Sequence, residues 1–195
     1  MTRAFRQQAD EQILDRAAAL FARHGVEHTS VQAVADAVGL SKAGLLHHFP
    51  SKDALHAGVL AESARFSEGV VREVAHLPAG PDRDRRALEG MVDVALAHPG
   101  MVAFMLAPVT QGMRAEAAGA GAAALEAFGV DPETADPERV VRVIGALAGL
   151  AVLTLAAHEH GHTTAWRPLV LATCSDALGH RHPGSPSSRP STREA

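Results

Sequence analysis

Several things are scarce in this sequence, and each scarcity excludes something. There is one cysteine, one tryptophan and no tyrosine in 195 residues. A lone thiol cannot close an internal disulfide, which excludes a disulfide-stapled scaffold and suits a reducing compartment. The N-terminal stretch MTRAFRQQADEQ lacks the apolar core of a secretory leader. The longest apolar run, 143–157, is shorter than the ~20 residues a bilayer span needs. A soluble, cytoplasmic chain without a membrane partner is therefore expected. No stretch alternates apolar and polar residues for long, which argues against a sheet. No Ser-His-Asp order, phosphate loop, paired-carboxylate motif or nucleotide fingerprint occurs, so neither catalysis nor a cofactor is expected. Lysine is the scarcest charge: Lys42 and Lys52 are the only two, and both fall in one short stretch.

Net charge is −4 at pH 7, so bulk electrostatics carry no signature of nucleic-acid binding. The charge is uneven, however. Residues 1–56 are balanced, the acidic excess lies in 57–178, and the tail is weakly basic. Breakers divide the chain into helical stretches. Residues 10–24 carry apolar residues on one face and end at Gly25, which suits a left-handed C-terminal position. Short helices follow over 31–38, closed by Gly39, and over 42–49, stopped by Pro50. Ser51 caps a fourth helix that runs toward Leu77. Helices are also expected over 83–98, 109–128 and 140–160, with a short apolar segment over 101–107. A last helix is expected over 168–178, with Pro168 in its first turn. Three parts result: a head over 1–56, a helical body over 57–179 and a disordered tail over 180–195. The fold class is all-α, a three-helix head plus a helical body.

The stretch 30–55 carries the chemistry. Two short helices flank the turn Val38-Gly39-Leu40-Ser41. Ala35 is small where the helices must cross, Gly39 tolerates the positive φ of the turn, and Val34, Val38, Leu40 and Leu45 face inward. This is the pattern of a helix-turn-helix, although an ordinary helical hairpin would share much of it. In a major groove, Lys42 could donate to guanine, Ala43 could touch a thymine methyl, and Gly44 would allow close backbone approach. Ser41 caps that helix. His47 and His48 offer donors to phosphate. Lys52 at the start of the fourth helix, and Thr29 and Ser30 at the start of the second, offer anion sites that would clamp the reading helix from both ends.

The segment resembles the N-terminal DNA-binding domain of the TetR family of transcriptional regulators. The resemblance covers residues 8–57 and is carried by Phe21, Gly25, Thr29, Ser30, Val34, Ala35, Val38, Gly39, Ser41, Leu45, His48, Phe49, Ser51, Lys52 and Leu55. One position departs from it. The family usually has an aromatic, often Tyr, in the recognition helix, where this chain has Leu46, and His47 stands beside it as a substitute donor. The resemblance implies a homodimer joined through its last two helices, reading a palindromic double-stranded DNA operator, with a small-molecule effector in the body.

The sequence itself also favours self-association. Residues 140–157 are apolar on every side, with a small-residue stripe of Val141, Gly145, Ala148, Gly149 and Val152, although a central core helix would look similar. The resemblance places a ligand cavity within 83–128. The adaptable side chains there are Met91, Met101, Phe104, Met105, Met113 and Phe128, with His98, Gln111 and Arg114 as polar candidates for fixing an apolar or aromatic compound. The run HEHGH offers His158, His160 and His162, but i and i+2 point apart on a helix and Gly161 ends the helix before an intact i, i+4 zinc pair can form, so no metal is expected. Cys174 reads as a small buried residue. Two alternatives stay open: a small-molecule-binding protein of the same fold without DNA binding, and a regulator whose methionines fill the cavity.

Overall fold

The computed structural model describes the backbone of residues 3–111, 118–131 and 133–180, and the side chains of 6–107, 122–131 and 133–180. Every regular element among them is a helix. They are α1 (Arg3–His24), α2 (Val31–Ala37), α3 (Lys42–His48), α4 (Lys52–Val74), α5 (Pro81–Ala97), α6 (Pro99–Gln111), α7 (Ala118–Ala127), α8 (Pro137–Glu159) and α9 (Thr163–Ala177).

Two apolar cores organise the chain. In the head, α1 contributes Ile13, Leu14, Ala17, Ala18 and Phe21 at helical spacing, and these meet Val34 and Ala35 of α2 and Leu45 of α3. In the body, Leu88 and Val92 of α5, Phe128 just after α7, Val143 and Leu150 of α8, and Val170 and Cys174 of α9 interlock. The two cores share α4. Its first turns bury Leu55 and Val59 in the head, and its last turns bury Val70 and Val74 in the body. The boundary expected at residues 56 and 57 therefore falls inside a continuous helix.

A second joint lies between α1 and α6. The Asp15 carboxylate accepts the Met101 N–H at 2.9 Å, capping the first turn of α6 from outside it. A Cβ on Gly100 would overlap the Asp15 carbonyl oxygen, so glycine lets the two backbones meet. Burial raises the Asp15 carboxyl above the usual carboxylate range, against the lowering effect of the Met101 N–H.

Several boundaries differ from expectation. Helix α1 begins at Arg3 rather than near residue 10, on an exposed turn where Gln7 reaches Glu11 at 3.3 Å. The segment 101–107 is not a separate piece but the middle of α6. Of the helix expected over 109–128, the described parts are the end of α6, to Gln111, and α7, from Ala118. Pro168 lies inside α9 rather than in its first turn, because α9 begins at Thr163. His180, expected in a disordered tail, is half-buried against the body.

Helix α8 corrects the length argument about membranes. Its 23 residues are long and apolar enough, by length and composition, to cross a bilayer. Here one side of it packs into the body through Val143, Ala146, Leu150, Thr154 and Ala157.

Candidate nucleic-acid interface

Helices α2 and α3 are short because each is started and stopped by a local device. The Ser30 hydroxyl accepts the Ala33 N–H, the Ser41 hydroxyl accepts the Gly44 N–H, and the Ser51 hydroxyl accepts the Ala54 N–H, each at 3.0 Å. Three serines thus cap the starts of three successive helices. Gly39 turns the chain between α2 and α3 at φ +72°, and the Leu40 N–H returns to the Ala35 carbonyl at 2.9 Å. Ala35 and Leu45 have no exposure at all, so the crossing is closed and the orientation of α3 is set from beneath.

This packing divides the surface of α3. Leu45 is buried and Leu46 half-buried, while Lys42, Ala43 and His47 are exposed. The first turn therefore presents a cation, a methyl group and, at Gly44, bare backbone. A Cβ on Gly44 would press on the Ser41 hydroxyl at 3.3 Å, so glycine there also relieves the cap.

Three of the expected phosphate contacts are otherwise engaged. Thr29 is buried, and its hydroxyl donates to the Gly25 carbonyl at 2.8 Å, closing the end of α1. Its N–H bonds to the Val26 carbonyl, so neither group points to a duplex. The His48 ring lies 2.6 Å from the Asp10 carboxylate, tying α3 to α1. Lys52 donates to the carbonyls of Val26 and Glu27 at 3.0 and 3.1 Å, pinning the α1–α2 loop to the start of α4. These three hold the head together. Ser30, Ser41, Lys42, Ala43, Gly44 and His47 remain on or near the exposed face. Asp10 escapes a reading of the sequence. Its only signal there is an acidic residue on α1, and the pair depends on how α1 crosses α3.

Residues 13–59 match the sequence model of the family described as bacterial regulatory proteins, tetR family. These residues form a TetR-family N-terminal domain. Over 81 residues it is 37% identical to the HTH-type transcriptional repressor KstR2 of Rhodococcus jostii strain RHA1, covering 42% of this chain and 38% of that protein. Over 78 residues it is 32% identical to the HTH-type transcriptional repressor Rv1474c of Mycobacterium tuberculosis, covering 37% of this chain and 42% of that protein. The likeness to these two thus spans less than half of their length. The fold also resembles that of a TetR-like transcriptional regulator from Rhodococcus sp. RHA1, at 20% identity and a TM-score of 0.59, covering 93% of this chain and 100% of the other. A second structure, the TetR family regulator PfmR of Thermus thermophilus, gives a TM-score of 0.51 at 24% identity, covering 82% and 97% of the two chains.

Beyond that domain, the described residues expected to line a ligand cavity do not gather around one space. Phe128 is fully buried in the body core, and Met91 packs against that core. Met101 is buried instead in the head core, where the Ser63 hydroxyl reaches its sulfur at 3.4 Å. Phe104 packs on the head beside His56, with ring centroids 6.0 Å apart, and Met105 is half-buried. The Met101 and Phe128 assignments are therefore corrected to core packing: both are adaptable apolar side chains in one stretch of chain, and that stretch is shared between two cores. Met113, Arg114 and the Gln111 side chain lie outside the described residues. His98 stacks on Phe66 at 4.4 Å.

Open space lies elsewhere. A cleft of about 900 Å³ separates head from body, walled by α1 (Glu11, Asp15), the end of α2 (Val38), the α5–α6 turn (His98) and the end of α8 (His158). Among the described residues no group of three His, Cys, Asp or Glu side chains could hold a metal. Cys174 is buried, which pushes its thiol up to about 11.

Proposed function

We propose that this chain is a homodimeric, cytoplasmic transcriptional repressor that binds a palindromic operator through α3 and leaves it when a small molecule binds. The observation that carries the DNA-binding part is the exposed first turn of α3. It presents Lys42, Ala43 and Gly44 on a helix-turn-helix whose crossing is closed by Ala35 and Leu45. One such helix reads only a few base pairs, and two related by a two-fold axis at about 34 Å read a longer site.

Support for the dimer comes from α8 and α9. Val141 (69% exposed), Ile144 (51%), Val152 (55%) and Leu169 (62%) form an apolar face that one protomer leaves in water. A Cβ at Gly145 or Gly149 would meet nothing within 4 Å, so this face has room for a close partner. The effector part is supported by the cleft between head and body rather than by the methionines. Its walls come from both units, so a ligand that fits it better at one head angle shifts the balance between angles.

Fluorescence anisotropy against the DNA flanking its own gene tests the reading. The wild-type chain should bind this DNA more tightly than scrambled duplex, and Lys42→Ala should erase much of that preference. Equal affinity for both duplexes would overturn it.

A further inference from the structure

Among the described residues, Asp84 is the only carboxylate with no solvent exposure. It sits in the first turn of α5, and its two oxygens are divided between two partners. Arg139 Nη2 donates to Oδ1 at 2.6 Å, and the His180 ring nitrogen Nε2 lies 2.6 Å from Oδ2. The same Arg139 nitrogen also donates to the Phe128 carbonyl at 3.2 Å. Arg139 belongs to the first turn of α8, and His180 follows the end of α9.

The chain is turned back to this corner by Gly179, at φ +93°. The Gly179 N–H returns to the Asp176 carbonyl and the His180 N–H to the Ser175 carbonyl, both at 3.0 Å. Three separate elements therefore meet on one buried charge. A buried carboxylate is tolerated only while its partners stay in place, so loss of one arm is felt by the others.

The two helices fastened here, α8 and α9, are the ones that carry the exposed apolar face. We propose that Asp84, Arg139 and His180 form a clasp that holds α8 and α9 in the relative position this face needs. The strength of self-association is then set by residues that are not part of the apolar stripe. The proposal rests on the homodimer reading above.

Sedimentation equilibrium and amide hydrogen exchange on the full chain test it, using His180→Ala, His180→Gln and Val34→Ala. His180→Ala should speed exchange over 175–180 and weaken self-association by roughly tenfold, the scale of one charge-assisted hydrogen bond. His180→Gln, whose amide can donate to the same oxygen, should restore most of both. Val34→Ala loosens the head core, and should lower the melting temperature while leaving the association constant alone. A dimer indifferent to His180→Ala, or one that Gln does not rescue, overturns the clasp. Equal weakening by Val34→Ala overturns it too, because the effect would then be general loss of stability. A wild-type chain that stays monomeric overturns the reading beneath the proposal, a result distinct from a dimer that ignores the clasp.

Discussion

Lys42 and Lys52 are the two lysines of the chain, and their surroundings give them different work. Lys42 is exposed at the start of α3. Lys52 is held by two loop carbonyls. Lys42→Ala should therefore relax base preference with little change in melting temperature. Lys52→Ala should cost stability, by about 1–2 kcal/mol for its charged hydrogen bonds, as measured by urea unfolding. Cys174 makes a second prediction at this scale. With its thiol pushed up to about 11, almost none of it is thiolate at pH 8. Labelling by a thiol reagent should be slow in the native chain and become fast and stoichiometric in denaturant. Fast native labelling at pH 8 would show that α9 opens there.

Among the elements, the contact of α1 with α6 is the joint that adds to the continuous helix α4. Gly100 has no room for a side chain against the α1 backbone, so Gly100→Ala should force the two helices apart. A loss of 2 kcal/mol or more, about the cost of an overpacked core position, is expected in chemical unfolding. Asp15 adds a pH dependence to the same joint. Its carboxyl is raised in the folded chain, chiefly by burial, so the folded state takes up this proton more readily than the unfolded one. The stability it contributes is present below the ordinary carboxylate value of 3.8 and is lost as pH rises through the raised value. Asp15→Asn keeps an acceptor for the Met101 N–H without the desolvated charge. It should match or exceed the wild type in melting temperature at pH 7, and the advantage should vanish near pH 4. A lower melting temperature at pH 7 would mean that the charge itself holds the cap.

At the scale of the whole molecule, the dimer proposal turns on the exposed apolar residues of α8 and α9. Gly145 is exposed and a Cβ there meets nothing within the protomer, so Gly145→Leu should stabilise an isolated protomer slightly, by up to ~1 kcal/mol from helix propensity. The same substitution should weaken the proposed dimer, because the bulk falls where a second copy would approach. Sedimentation velocity read beside thermal unfolding separates the two effects. Unchanged association would move the interface away from α8.

What the residues alone determine here is local. The serine caps, the turn at Gly39, the small Ala35 and the apolar spacing of α1 to α3 all act within a few residues, so the helix-turn-helix and its exposed Lys42 could be read directly. Apolar spacing also shows which residues are buried, but not against what. Met101 and Phe128 are both apolar and both buried, but α6 packing on α1 sends one to the head core and the packing of α4, α5 and α8 takes the other into the body core. Likewise the pairing of Asp10 with His48, and of Asp84 with Arg139 and His180, joins residues far apart in the chain. A side chain's periodicity states which way it faces on its own helix. Its partner depends on the angle at which another helix arrives, and that angle is settled by packing the whole molecule at once.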